Sequence, residues 1–152
     1  MTAWRSILTV ILLFLLAGCS ATPEEKEPDV PSIDEFLVML TEQTGRACIT
    51  MRDIDTHEAL GEEIISVTMR RGEHYLLALS HPCRFLGRSS GTLVSDSWGT
   101  LCSGGMGVVS DNVGACPIRH VFKFPTEEAA MATLKVARAR REAALQFPDE
   151  EQ

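Results

Sequence analysis

The chain has 152 residues, enough for one domain with attachments, and its 45% hydrophobic and 23% charged content fits a globular fold. A formal net charge of −7 argues against a nucleic-acid partner, which would select a basic footprint. The 6% aromatic content and single Tyr argue against a base-stacking surface as well.

In chain order, the first feature is Met1–Ser6, where Arg5 supplies a short positive segment ahead of the apolar run Ile7–Leu16. Ten residues are too few to cross a hydrocarbon core of about 30 Å as a helix, but they suit the apolar part of a signal peptide. Directly behind it, Leu16-Ala17-Gly18-Cys19 resembles the lipobox of bacterial lipoproteins. That resemblance implies cleavage before Cys19, diacylation of its thiol and acylation of the new amine. Ser20, the next residue, implies by the same resemblance sorting to the outer membrane, with the protein on its periplasmic face. Residues 1–18 are therefore expected to be a lipoprotein signal peptide, and residues 19–31 a flexible tether. The stretch Ser20–Pro31 is polar and acidic with three prolines, so it cannot bury enough apolar surface to offset ordering. Acyl chains contributing ~0.8 kcal/mol per buried CH₂ would hold the protein on a membrane without a spanning helix.

Ser32-Ile-Asp-Glu35 has the S-x-x-E form of a capping box, and Ile33, Phe36, Leu37 and Leu40 fall on one helical face. The spacing predicts a helix over 33–43, ended by Gly45. From 46 to 124 the period becomes two. Predicted strands are Arg46–Arg52, Glu63–Arg70, Glu73–Leu79, Thr92–Ser95, Thr100–Cys102, Met106–Ser110 and Arg119–Phe124. Arg70-Arg71-Gly72-Glu73 reads as a hairpin turn. Thr126 then caps a second helix with Glu127 and Glu128 in its first turn, and Phe147-Pro148 stops it. Its thin, Ala-rich apolar stripe predicts docking by the first turns only, with Arg138, Arg140 and Arg141 projecting into solvent as a contact for an anionic partner. The fold class is thus α+β: a small antiparallel sheet or barrel-like core over residues 32–124, disulfide-stapled, with an N-terminal helix and, over 125–152, a C-terminal helix and tail.

Five cysteines in an exported chain leave an odd thiol, and assigning Cys19 to lipid removes it. Cys48, Cys83, Cys102 and Cys116 remain, an even number that reads as two disulfides in an oxidising compartment. Four cysteines allow three connectivities. The expected pairing is Cys83–Cys102 with Cys48–Cys116, and the other two stay open. A zinc site drawn from His81, Cys83, Cys102, Cys116 and His120 competes, but the tight Cys pairs that structural zinc favours are missing.

Other chemistry is weaker. Gly87-Arg-Ser89-Ser-Gly91 matches the G-x-S-x-G elbow, which would make a small envelope hydrolase using Ser89 with His120. That elbow needs a helix after it, and here a strand pattern follows. Asp53, Asp55 and His57 alternate and could face one side toward a cation. His74, His81, Met69 and Met106 have the soft donors of a copper site. Scattered strand residues of these types are more often core and surface.

Residues 46–124 resemble a family of small exported Gram-negative proteins known only as a domain of unknown function. The resemblance rests on Arg46-Ala-Cys48-Ile-Thr, Arg52-Asp53-Ile54, the hairpin from Thr68 to Tyr75, Pro82-Cys83, Leu101-Cys102-Ser103 and Cys116 followed by Phe122-Lys-Phe124-Pro125. It implies that the helix after Pro125 is additional to the family core. The family has no assigned activity, so no residue role follows from it. The reading is a membrane-anchored periplasmic lipoprotein, a non-enzymatic accessory or binding module with a possible envelope protein partner and no cofactor. A small hydrolase and a periplasmic metal-binding protein are its alternatives.

Overall fold

The computed structural model describes residues 30–87, 92–94, 98–104, 107–112 and 114–146. The chain runs α1 (Ile33–Thr41), β1 (Cys48–Thr50), β2 (Ile54–Ala59), β3 (Ile64–Met69), β4 (His74–Leu79), β5 (Thr92–Val94), β6 (Thr100–Cys102), β7 (Val108–Ser110), β8 (Ala115–Phe124) and α2 (Glu127–Gln146). Six strands form a curled antiparallel sheet in the order β2-β3-β4-β8-β7-β5, and β1 pairs with β6 in a separate two-stranded sheet. The α+β class with an antiparallel core and a helix at each end is therefore the fold observed.

Local chemistry sets the element ends. The Glu35 carboxylate accepts the Ser32 N–H at 2.8 Å, fixing the first turn of α1. Glu42 takes a left-handed φ of 56° and donates its N–H to the Val38 carbonyl, so the helix stops at Thr41. In the β3–β4 turn, Gly72 adopts φ 85° and donates to the Met69 carbonyl at 2.9 Å, a conformation that favours glycine. The predicted strand Arg46–Arg52 is broken by a 3₁₀ turn at Met51–Asp53. Met51 N–H is drawn to the Gly99 carbonyl, and Arg70 N–H reaches the Asp53 carbonyl. The segment therefore divides between two sheets, and β2 becomes an edge strand whose exposed Asp55 and Glu58 discourage further pairing.

Each face of the main sheet has its own core. Ile65, Val67, Met69, Tyr75, Leu77 and Leu79 point inward with Ile118, Val121 and Val109, and β1 and β6 close over them with Ile49 and Leu101. On the opposite face, Ile64, Leu76, Ala78, Phe122 and Phe124 meet Ile33, Phe36 and Leu37 of α1 and Ala130, Leu134 and Ala137 of α2. Because both faces are covered, β4 is buried at every position and loses the alternation of a half-exposed strand.

Two expectations are corrected. The second helix does not project. Ala137 is fully buried, Ala144 packs against the same core, Arg138 donates to the Leu60 carbonyl, and Arg141 pairs with Glu63 at 2.6 Å. The alanines that make the stripe look thin let the helix approach the sheet closely. The disulfide pairing also differs: Cys48 joins Cys102 and Cys83 joins Cys116, with Cα–Cα distances of 4.3 and 6.3 Å. Register decides this, since Cys48 stands directly opposite Cys102 in the β1–β6 ladder. The expected partner of Cys83 is thus already taken.

Candidate functional site

The most elaborate polar cluster joins α1 to β8. Opposite β4, β8 carries one extra residue: Ala78 pairs with His120, but Leu79 pairs with Ile118. Such a bulge re-aims side chains, and here it lets two neighbours, Arg119 and His120, meet the same carboxylate. His120 Nδ1 lies 2.8 Å and Arg119 Nε 3.4 Å from Asp34 Oδ2, while the Ser32 hydroxyl donates to Oδ1. Arg119 also reaches Glu35 at 4.0 Å. Asp34 is 4% exposed. Burial pushes its carboxyl up, but the Ser32 hydroxyl, the His120 contact and the Arg119 guanidinium outweigh this and hold it below the usual carboxylate range. On the other side, Gly45 at φ +66° lies against the imidazole, and a Cβ there would sit 2.8 Å from the ring.

An aspartate bonded to histidine Nδ1 is the arrangement that orients a general base. Here the same carboxylate also takes a guanidinium from the strand and a hydroxyl from its own helix start, so the His120 and Arg119 contacts tie the helix to the strand while Ser32 fixes the carboxylate between them. Replacing Asp34 with Ala should therefore cost about 2 kcal/mol near neutral pH, measured by urea denaturation. A carboxyl with a lowered folded pKa stabilises above its unfolded value near 3.9 and loses that contribution as pH falls through the folded value. The stabilities of wild type and Asp34→Ala should accordingly converge in acid.

His74 forms a second cluster beneath α2. It is 1% exposed, with Nε2 3.0 Å from the Ser66 hydroxyl and Nδ1 3.2 Å from that of Thr68. Burial pushes the imidazole pKa down, with Glu127 partly opposing, so the ring is neutral at pH 7. Its unfolded counterpart begins to bind a proton near pH 6.5, where the folded ring does not. Stability should fall as pH drops from about 6.5 toward the lower folded value, and His74→Gln should flatten that limb in a urea series.

The remaining candidates separate. Ser89, and with it the elbow at 88–91, lies outside the described residues, as does Met106. His74 and Met69 belong to opposite faces of the sheet, and His81 is exposed at the turn after β4, so the soft donors of the copper reading are not assembled. Asp53 ends the 3₁₀ turn while Asp55 and His57 lie on β2, and they do not form a metal-sized group. Of the five zinc candidates, Cys102 is paired with Cys48 and His120 with Asp34. His81, Cys83 and Cys116 are brought together, their ligand atoms all within 4.8 Å of one another. Sequence reasoning missed Asp34, which meets His120 across 86 positions through a bulge that leaves no local signal.

These features sit in a chain that belongs to a family of unknown function (DUF6491), matched over residues 2–142. The match includes most of α2, so that helix is part of the family's common length and not an addition to it. No curated protein and no solved structure matches the chain.

Proposed function

We propose that this protein is a lipid-anchored accessory or binding module of the cell envelope, held on the periplasmic face of the outer membrane through Cys19. The observation that carries this reading is the cysteine pairing. All four cysteines of the folded domain pair with one another, leaving Cys19 as the single cysteine without a disulfide role. That residue stands in the lipobox-like Leu16-Ala17-Gly18-Cys19, ahead of an acidic, proline-containing tether. Two disulfides favour an oxidising compartment. Among the described residues no helix is long and apolar enough to cross a membrane. Acyl chains on Cys19 would supply the attachment in this reading. The side chains of Asp34, His120, Arg119, His74 and Arg141 hold elements together, which suits a rigid scaffold presenting its surface to an envelope partner.

Labelled palmitate should enter the wild-type protein, and Cys19→Ser should lose the label and leave precursor or a soluble form. A Cys19→Ser protein that stays on the membrane, with no label in the wild type, would overturn the anchor. Crosslinking of the native protein in its membrane then identifies the partner.

A further inference from the structure

We propose that Cys83 and Cys116, once their disulfide is reduced, form with His81 a binding site for a closed-shell thiophilic cation, Cu⁺ or Zn²⁺. The site is independent of the anchor. The two sulfurs and one imidazole nitrogen already lie within 4.8 Å of one another. Donors bound to one ion at about 2.0–2.3 Å sit roughly 3.5 Å apart, so small side-chain rotations close the shell. Two thiolates and an imidazole are the soft donor set that selects these ions over hard cations. Cu⁺ accepts three ligands, and Zn²⁺ would add water in the fourth position.

The backbone holds the donors without help from the sulfur–sulfur bond. Ser80 N–H donates to the Pro117 carbonyl at 3.0 Å, Cys83 N–H to the Glu62 carbonyl at 2.7 Å, and Leu86 N–H to the Cys83 carbonyl at 3.0 Å. Cys116 is fixed opposite Val109 in the β7–β8 ladder. Breaking the disulfide therefore leaves Cys83 and Cys116 on backbone that is still held, with His81 in the short span between the bonded Ser80 and Cys83. Cys83 and Cys116 are buried while His81 is exposed, which puts the imidazole at the mouth, where an ion would enter. Among the described residues, Cys48–Cys102 has no comparable third donor.

The chemistry balances with an external dithiol. Its thiolate attacks one sulfur, the Cys83–Cys116 bond breaks, and the mixed disulfide resolves to release the reductant as its own disulfide. Two electrons and two protons reach the pair. The cation then displaces both thiol protons and binds two thiolates and the imidazole. Reoxidation by a disulfide acceptor removes the thiolates and expels the ion, so oxidation and metal binding exclude each other.

The test uses the full mature chain, oxidised or anaerobically reduced, titrated separately with Zn²⁺ and Cu⁺ against chromophoric chelators. Reduced wild type should bind one equivalent of at least one ion, and the tighter arm identifies it. Oxidised protein should bind none. His81→Ala should weaken binding at least tenfold, and Cys83→Ser/Cys116→Ser should abolish it. A reduced chain that had merely unfolded would bind through thiols alone, so affinity indifferent to His81 overturns the proposal. So does the absence of binding in both arms, or binding that survives in Cys83→Ser/Cys116→Ser.

Discussion

Replacing Cys48 and Cys102 together with serine should lower stability by about 4 kcal/mol, read from urea or thermal denaturation. The bond closes a sequence separation of 54 residues, and the loss of that constraint on the unfolded chain is worth about 4 kcal/mol in the chain-entropy treatment. Removing Cys83 and Cys116, separated by 33 residues, should cost a comparable amount, with two buried sulfurs lost from the inward core. The crossed double variant Cys83→Ser/Cys102→Ser should be worse than either, because it breaks both bonds and leaves Cys48 and Cys116 without their partners. If Cys83→Ser/Cys102→Ser were instead the mildest of the three, the pairing would be wrong.

The second large effect concerns α2. Leu134 is 1% exposed and shares the helix-side core with Ile64, Leu76 and Phe122, so Leu134→Ala should cost about 3 kcal/mol in lost transfer energy and residual cavity. Truncation after Pro125 goes further. It uncovers the helix-side face of β3, β4 and β8, removes the Arg138 bond to Leu60 and deletes the Arg141–Glu63 ion pair. A domain of this size has only about 5–15 kcal/mol to lose, so the truncated protein should not fold. Hydrogen exchange offers a finer reading. Amides around Ala137 should be protected nearly as strongly as those of β4, with protection fading after Ala144. A truncated protein that melted only slightly below the wild type would contradict the packed helix.

What was legible in the sequence was local. The S-x-x-E start of α1, the Gly72 hairpin, the bounds of β6 and the capped start of α2 all follow from residues within a turn of one another. The features that build the polar cluster are not local. The 3₁₀ break at Met51–Asp53 depends on the Gly99 carbonyl, the bulge in β8 depends on its pairing with β4, and Asp34 finds His120 only once α1 lies on the sheet. Disulfide choice failed for the same reason. The sequence expectation set Cys83 with Cys102, whereas strand register places Cys48 against Cys102. The alanine stripe of α2 misled because apolar area measures how much surface a helix can bury, not how closely a sheet lets it approach.

The most direct test of an anchored, doubly stapled module is the intact mass of the protein extracted from membranes of cells expressing the full chain. The expected species begins at Cys19, carries three acyl chains and is four hydrogens lighter than its reduced form. A chain retaining residues 1–18, or one with an unacylated Cys19 and four free thiols in the domain, would contradict it.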